Sequence, residues 1–169
     1  MKRRDLFSVA LPPALLAHTF APGSSAAAVP EDALPSVGEK LLTEFWAKIY
    51  NPPQDLSAID RLCTEDFVLT TSGQEVVGRA AFKEWVVAFS SKIGDLRLTS
   101  HDMFSSADGT RVVSRWSVTG LNQGLFGTPA DGQPVEFTGI AVWEVRDGRL
   151  AHNWVERSAY ELAQRLGKV

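Results

Sequence analysis

The hydrophobic period of this sequence changes from that of a helix to that of a strand near residue 95. Earlier apolar residues recur at intervals of three and four, whereas later runs alternate and are separated by Asp-Gly pairs at 108–109, 131–132 and 147–148. Asp-Gly between alternating runs indicates a tight hairpin, because both residues tolerate positive φ. The C-terminal half is therefore expected to form an antiparallel sheet.

The N-terminal half is predicted to be mainly helical. A first helix begins near Ser36 and ends before Asn51, and its apolar stripe comprises Leu41, Leu42, Phe45, Trp46 and Ile49. A short second helix over 56–63, a strand over 66–71 and a third helix after Gly78 follow, and a last amphipathic segment spans 160–166. Helices followed by a meander, without βαβ alternation, predict an α+β fold with the helices on one sheet face.

The first residues have the pattern of an export signal. Lys2-Arg3-Arg4 precedes an apolar run over 9–20, and Ala26-Ala27-Ala28 offers a cleavage site to a signal peptidase. About a dozen apolar residues are too few to span a membrane. The paired arginines resemble a twin-arginine signal, with an ordinary Sec signal as the alternative. We therefore expect a signal peptide over 1–28, a linker over 29–35, a domain over 36–169, a periplasmic or secreted location, and no membrane association after cleavage.

Composition limits the classes of function that remain. At 169 residues with 44% hydrophobic content, the chain has the size of one domain. A net charge of −3 and scattered basic residues argue against a nucleic-acid partner. Cys63 is the only cysteine, so no intramolecular disulfide is possible. Three histidines without metal-ligand spacing, and the lack of a P-loop or dinucleotide motif, predict neither a metal site nor a cofactor.

The register of the last hairpin can be predicted from its turn. If the Asp-Gly pair at 147–148 is a two-residue turn, Arg146 pairs with Arg149. Each pair further from the turn then lies one residue earlier in the first strand and one residue later in the second. One face then carries the pairs Val145 with Leu150, Trp143 with His152, Ala141 with Trp154, Gly139 with Glu156, and Phe137 with Ser158. The helices should cover this aromatic face, and the missing side chain of Gly139 should leave space for the carboxylate opposite.

The preceding hairpin adds polar residues to the same predicted interior. With the Asp-Gly pair at 108–109 as the turn, His101 lies opposite Trp116, although a four-residue loop over 106–109 is the alternative. Continued alternation places Asn122 on the Trp116 side. The expected pocket combines His101, Trp116, Asn122, His152, Trp154 and Glu156. Polar groups in an aromatic cavity are typical of a small-molecule site.

Glu156 is the candidate acid–base group of this pocket. A carboxylate that is buried among tryptophans is harder to ionise, which suits proton transfer near neutral pH. His152 or His101 would tune the carboxylate, and Asn122 would hold a developing oxyanion.

Each of these assignments has a structural alternative. Histidines on apolar strands are often hydrogen-bonded core residues, and tryptophans are more often core than ligand contacts. Glu156 could pair with a buried arginine such as Arg97 or Arg115.

Short motifs recur along the whole predicted domain. They are the run over 120–132, Phe137-Thr138-Gly139-Ile140, Asp147-Gly148-Arg149-Leu150, Trp154 and Gln164-Arg165-Leu166-Gly167, with Tyr50-Asn51, Asp66-Phe67-Val68 and Gly78-Arg79 in the helical half. Together they resemble the SnoaL-like polyketide cyclase family over residues 36–167.

This resemblance implies a nuclear-transport-factor-2-like (NTF2-like) cone. In such a cone a strongly curved antiparallel sheet encloses a pocket with roughly three helices packed on its concave face. The resemblance also implies a homodimer, and ring closure by intramolecular aldol chemistry without a cofactor. The family's acidic residue, four positions after the tryptophan, corresponds here to Ser158, and its frequent histidine corresponds to Asn122.

The residues and the resemblance together predict an exported protein that binds a small, largely apolar ligand in the cone pocket. It would be a cofactor-independent cyclase, isomerase or lyase, or alternatively a non-catalytic periplasmic binding protein; a structural dimer without a pocket is a third hypothesis. The candidate catalytic residues are Glu156, His152 and Asn122. The candidate ligand-binding residues are Trp116, His101, Trp143, Trp154, Gly139, Ser158 and Phe137.

Overall fold

The structure, a computed structural model, describes residues 34–168. The predicted signal peptide over 1–28 and most of the predicted linker lie outside these residues. The helices are Val37–Ile49 (α1), Ala58–Leu62 (α2), Arg79–Ser90 (α3) and Ala159–Arg165 (α4), and the strands are Cys63–Thr71 (β1), Gln74–Val77 (β2), Ile93–Ser105 (β3), Arg111–Asn122 (β4), Pro134–Arg146 (β5) and Arg149–Arg157 (β6). No helix in this part of the chain is long and apolar enough to cross a membrane.

Within residues 34–168 the strands form one curved, six-stranded sheet in the order β2-β1-β6-β5-β4-β3. The α+β class and the antiparallel meander from β3 to β6 are confirmed. The expectation of a wholly antiparallel sheet is wrong, because β1 runs parallel to β6. No hairpin joins these two strands, so neither a turn signal nor an alternation pattern specifies their relative direction.

Helix α1 begins at a capping box, in which two backbone N–H groups at the helix start find side-chain acceptors. Ser36 Oγ accepts a bond of 3.1 Å from the Glu39 N–H, and the Glu39 carboxylate accepts one of 3.0 Å from the Ser36 N–H. The predicted apolar stripe packs inward, with Leu42, Phe45 and Ile49 fully buried. Helix α1 thereby covers the concave sheet face.

The core between the helices and the sheet is aromatic. The Phe45 ring meets the Trp143 ring edge-on at 5.1 Å, and the Phe67 and Phe82 rings lie 4.6 Å apart. Trp143 is fully buried, and its Nε1–H donates to Ser114 Oγ at 3.3 Å. Trp143, a predicted ligand contact, is therefore a core residue, because these side chains enclose its ring.

The last hairpin follows the predicted register only next to its turn. Arg146 pairs with Arg149 and Val145 with Leu150 around a turn whose two residues both have positive φ, as predicted. The next pair is Glu144 with His152, so Ala151 is an extra residue in β6 that has no partner in β5. Such a β-bulge shifts the register by one, and a one-residue slip exchanges the two faces of a strand.

The predicted register is therefore wrong from residue 151 to the end of β6. Asn153 and Val155 face the helices and are buried, whereas Trp154 and Glu156 face outward and are exposed. A second bulge in β3 pairs Ser100, rather than His101, with Trp116. The two bulges have the same consequence. Each places a histidine that was predicted to lie in the interior, His152 in β6 and His101 in β3, away from the concave face.

Candidate functional site

A small cavity lies between α1 and α3 on one side and the concave face of the sheet on the other. We refer to it as the inner cavity. It is lined by Trp46, Tyr50, Leu69, Trp85, Phe89, Leu98, Trp116, Val118, Asn153, Val155 and Arg157. Its volume of about 30 Å³ is enough for one or two water molecules.

A larger cavity adjoins the inner one toward the C-terminal helix, and we refer to it as the outer cavity. It is lined by Ser72, Phe89, Leu125, Phe126, Phe137, Arg157, Ala159 and Leu162. Its volume is about 220 Å³, whereas an apolar cavity of roughly 150 Å³ already admits benzene. Phe89 and Arg157 line both cavities, so the two cavities meet at these two side chains.

Four of the residues that line the inner cavity each have a buried polar atom without a hydrogen-bond partner among residues 34–168. They are Trp46 Nε1, Trp116 Nε1, Asn153 Oδ1 and Arg157 Nε. Trp116 and Asn153 are only 5% and 6% exposed. Because buried polar groups are normally paired, this concentration of unpaired atoms in one cavity points to a ligand or ordered water as the missing partner.

Arg157 is held among aromatic rings where the inner and outer cavities meet. Its guanidinium lies 5.5 Å from the centre of the Trp85 ring and 5.2 Å from that of Phe89, both within cation–π range. Its Nη2 donates to Thr71 Oγ1 at 2.6 Å. Burial lowers the pKa of the guanidinium from its ordinary value, and the same cause raises the pKa of the nearby Tyr50 hydroxyl.

The structure places the predicted β6 site residues outside this cavity. Glu156 lies in an open depression on the outer sheet face, and Trp154 is 36% exposed there. The His152 ring stacks on the Trp154 ring at 3.7 Å, and its Nε2 lies 2.8 Å from Thr70 Oγ1. The bulge at Ala151 is the reason, because it turns all three side chains outward.

His101 is also outside the cavities. It is exposed in the β3 bulge, where its Nε2 lies 2.9 Å from Ser117 Oγ. Among residues 34–168, no group of three or more His, Cys, Asp or Glu side chains could hold a metal ion.

Asn122 is fully buried, but its amide is occupied by the loop that follows β4. Its Nδ2 donates to Thr128 Oγ1, the Pro129 carbonyl and the Asp131 carboxylate at 2.9–3.1 Å. Its Oδ1 accepts from the Gly124 and Leu125 N–H groups at 3.0 Å each. Asn122 therefore has no free N–H group to donate to an oxyanion, the role that was predicted for it. Its amide holds the loop in place instead.

The remaining predicted ligand contacts divide between the two sides of the sheet. Trp116 lines the inner cavity and Phe137 the outer one, so both stay candidate ligand contacts. Ser158 lies beyond the end of β6, where its Oγ accepts from the Thr138 N–H at 3.0 Å and borders open surface depressions. Gly139 leaves no void, because the Trp116 ring occupies the space beside it.

The sequence interpretation missed most of the cavity wall. From β6 the missed residues are Asn153, Val155 and Arg157, and from the helices they are Trp46, Tyr50, Trp85 and Phe89. The helical residues were assigned to buried stripes, so their position was indicated but their role at a cavity was not. For β6, the consecutive burial of Leu150 and Ala151 marks the bulge, and this signal exists only in the folded chain.

Comparison with known proteins identifies the family. The model of the SnoaL-like domain matches residues 42–153, which is more than half of the chain. No curated protein matches the sequence.

Solved structures show the same fold. A protein from Jannaschia sp. CCS1, provisionally named a SnoaL-like polyketide cyclase, superposes with a TM-score of 0.73 at 15% identity, over 82% of this chain and 99% of that one. TsrD from Streptomyces laurentii gives 0.68 at 25% identity, over 79% and 96%. A protein from Catenulispora acidiphila DSM 44928 with a ketosteroid isomerase-like fold, solved with trimethylamine, gives 0.62 at 15% identity, over 76% and 92%.

These structures establish an NTF2-like, ketosteroid isomerase-like fold for residues 34–168, in agreement with the expectation from the sequence motifs. The matched domain includes α1 from Leu42 onward, α3, and the strands that enclose the inner cavity up to Asn153. The chain belongs to the SnoaL-like family.

Proposed function

We propose that this protein binds a small, largely apolar molecule in the inner and outer cavities and releases it unchanged. The observation that carries the proposal is the set of four unpaired polar atoms on residues that line an otherwise largely apolar cavity. Ligand sites commonly combine apolar walls with a few polar groups that fix the ligand's orientation.

The lining of the cavities supports binding over catalysis. In the part of the chain that the structure describes, neither cavity is lined by an Asp, Glu or His side chain. Burial raises the pKa of the Tyr50 hydroxyl, which makes its phenolate scarce at neutral pH, and an arginine does not act as a proton acceptor. General acid–base catalysis needs a group that ionises near the working pH, and these walls offer none.

The binding proposal can be tested by mass spectrometry under native conditions. The protein purified from cells is expected to carry a small molecule that is released on denaturation. Val118→Phe fills the inner cavity and should abolish this adduct, whereas Val142→Phe places the same substitution on the exposed sheet face and should retain it. Circular dichroism of both variants would verify that they fold. Equal adducts on both variants would contradict binding in the cavity.

The non-catalytic part of the proposal has its own test. The compound recovered after prolonged incubation with the protein should be chemically identical to the compound added. Conversion that depends on the protein and disappears in Val118→Phe would contradict it, and would favour the cyclase, isomerase or lyase hypothesis.

Export and self-association complete the proposal, and each has a separate basis. Export is supported by the pattern over residues 1–28, and replacing Arg3 and Arg4 by lysine should retain the protein in the cytoplasm if the twin-arginine route is used.

A homodimer is supported by the exposed Ile140 and Val142 side chains on the outer sheet face. Sedimentation equilibrium would distinguish a dimer from a monomer.

A further inference from the structure

Arg157 forms no ion pair with an acidic side chain in the described part of the chain. None of the ion pairs among residues 34–168 includes Arg157. The charge of Glu156, its neighbour in sequence, favours the protonated guanidinium, but this carboxylate is exposed on the opposite face of the sheet and makes no contact with Arg157 as an ion pair. A guanidinium among aromatic rings and without a carboxylate is costly to maintain, and an anion that binds beside it offsets this cost.

The other unpaired atoms of the inner cavity suit the same anion. Trp46 Nε1 and Trp116 Nε1 are N–H donors that can donate only, and Arg157 Nε adds a third donor. The Asn153 amide can present either its oxygen or its NH2 group to the cavity, depending on its orientation. Hydrogen bonds from such donors to an ionised oxygen are stronger than those to a neutral one.

The sizes of the two cavities limit what the anion can be. The inner cavity, at about 30 Å³, accommodates a group comparable to one or two water molecules. A planar carboxylate meets this limit, and its two oxygens match the fork of a guanidinium. The outer cavity, at about 220 Å³, is walled by Leu125, Phe137 and Leu162, and can hold an apolar body of one or two rings.

We propose that the ligand is a small aromatic or aliphatic carboxylic acid whose carboxylate binds Arg157 at the inner cavity, while its apolar body fills the outer cavity. This inference rests on the proposed binding function and adds the chemical class of the ligand. Arg157 is placed for this role because it is one of the two residues that both cavities share.

The test compares two probes of nearly equal shape, 2-naphthoate and 2-naphthamide, by isothermal titration calorimetry on the full domain. The unchanged protein should bind the anionic probe about tenfold more tightly or better, since a hydrogen bond to a charged group exceeds a neutral one. This comparison needs no variant, so it does not depend on how a substitution folds.

Variants then assign the preference to one residue. Arg157→Met should reduce naphthoate affinity by about tenfold or more and leave naphthamide affinity within roughly twofold. Arg149→Met removes the same charge from the exposed first residue of β6 and should change neither affinity. Arg157→Lys should restore part of the naphthoate affinity, because it returns the charge without the planar fork.

The outcomes separate the two proposals. Equal affinity for the two probes, or an anion preference that survives in Arg157→Met, would overturn the carboxylate inference while leaving the binding function intact. A failure of both probes to bind the unchanged protein would count against both the inference and the binding function.

Discussion

The Trp116 indole occupies the space beside Gly139, its direct partner across β4 and β5. A Cβ atom on Gly139 would overlap three atoms of the indole ring well inside van der Waals contact. Gly139→Ala is therefore expected to displace Trp116 and to destabilise the fold by about 1–3 kcal/mol, the usual cost of overpacking a core. Urea unfolding followed by circular dichroism would measure this change.

A glycine in β3 provides the matched control for this substitution. A Cβ on Gly94 would meet mainly the side chain of Gln123, which is exposed and can move. Gly94→Ala should stay within about 0.5 kcal/mol of the unchanged protein. If the two substitutions cost the same, close contact with Trp116 is not what requires a glycine at position 139.

The pair formed by Trp116 and Gly139 shows how much of the site could be predicted from the sequence. The alternation of β4 and the Asp-Gly turn at 147–148 predicted the face of Trp116, Phe137 and Gly139 correctly, because β4 and β5 contain no bulge between these positions. Here one strand period and one turn are sufficient to assign each side chain to a face. The family motifs add the overall fold by a separate route.

The face of β6 could not be obtained in this way. From residue 152 onward, one face carries His152, Trp154 and Glu156, and the other carries Asn153, Val155 and Arg157. Each set contains two polar side chains and one apolar one, so hydrophobic alternation does not distinguish inside from outside. The extra residue at Ala151 decides the question, and it is set by pairing with both β5 and β1 in the folded sheet.

Asn122 is expected to determine the conformation of the loop between β4 and β5. Asn122→Ala removes the acceptor of the Gly124 and Leu125 N–H groups, of which the latter is buried. We expect a loss of about 2–3 kcal/mol in unfolding free energy, because an unpaired buried donor carries its full desolvation cost. Hydrogen exchange of the amides at 124 and 125 should accelerate in the folded protein.

Asn122→Asp distinguishes the contribution of the Asn122 acceptor, Oδ1, from that of its donor, Nδ2. The carboxylate keeps an acceptor for the two N–H groups, but it faces the Asp131 carboxylate and the Pro129 carbonyl without a proton to donate. Repulsion should make this variant less stable at neutral pH than in mildly acidic solution, where one carboxyl can be protonated. Equal stability at both values would show that the donor half of the amide is unimportant.

Asn51 connects the end of α1 to the open edge of the sheet. Its Oδ1 accepts from the Leu98 N–H at 2.9 Å, and its Nδ2 donates to the Leu98 carbonyl at 3.0 Å, so the amide takes the place of a neighbouring strand. Asn51→Ala should cost about 1–3 kcal/mol in unfolding free energy. Because Leu98 and Trp46 line the inner cavity, ligand affinity should fall as well.

Asn51→Asp is the informative companion to that substitution. It keeps the acceptor for the Leu98 N–H and removes both bonds donated by Nδ2, to Leu98 and to the Trp46 carbonyl. If Asn51→Asp destabilises the protein as much as Asn51→Ala does, the bonds donated by Nδ2 account for the effect. If it destabilises the protein less, the bond accepted by Oδ1 contributes as well.

His152 should titrate below the ordinary range of a histidine. Desolvation lowers its pKa, and the positive charge of Arg111 adds to this, while Glu75 and Glu144 oppose it. Since the folded-state pKa is the lower one, the folded chain binds fewer protons, and the contribution to stability present above the unfolded pKa is lost as the pH falls. The His152 ring resonances would report the midpoint by NMR, with His152→Gln as the assignment control. A midpoint at or above the value for an unfolded peptide would contradict this expectation.

Glu156→Gln should leave ligand binding unchanged, in contrast to Arg157→Met one position further along the strand. The Glu156 side chain lies on the outer sheet face, where it borders a depression with Arg115 and Ile140, and the sheet separates it from the inner cavity. The Glu156 charge acts on the Arg157 guanidinium, but the carboxylate is exposed, so salt screens this interaction. Removing the charge should therefore alter naphthoate affinity by less than about twofold. Calorimetry on both variants would compare the two neighbours directly. A large loss of affinity in Glu156→Gln would mean that β6 lacks the bulge at Ala151, and would return the carboxylate to the pocket.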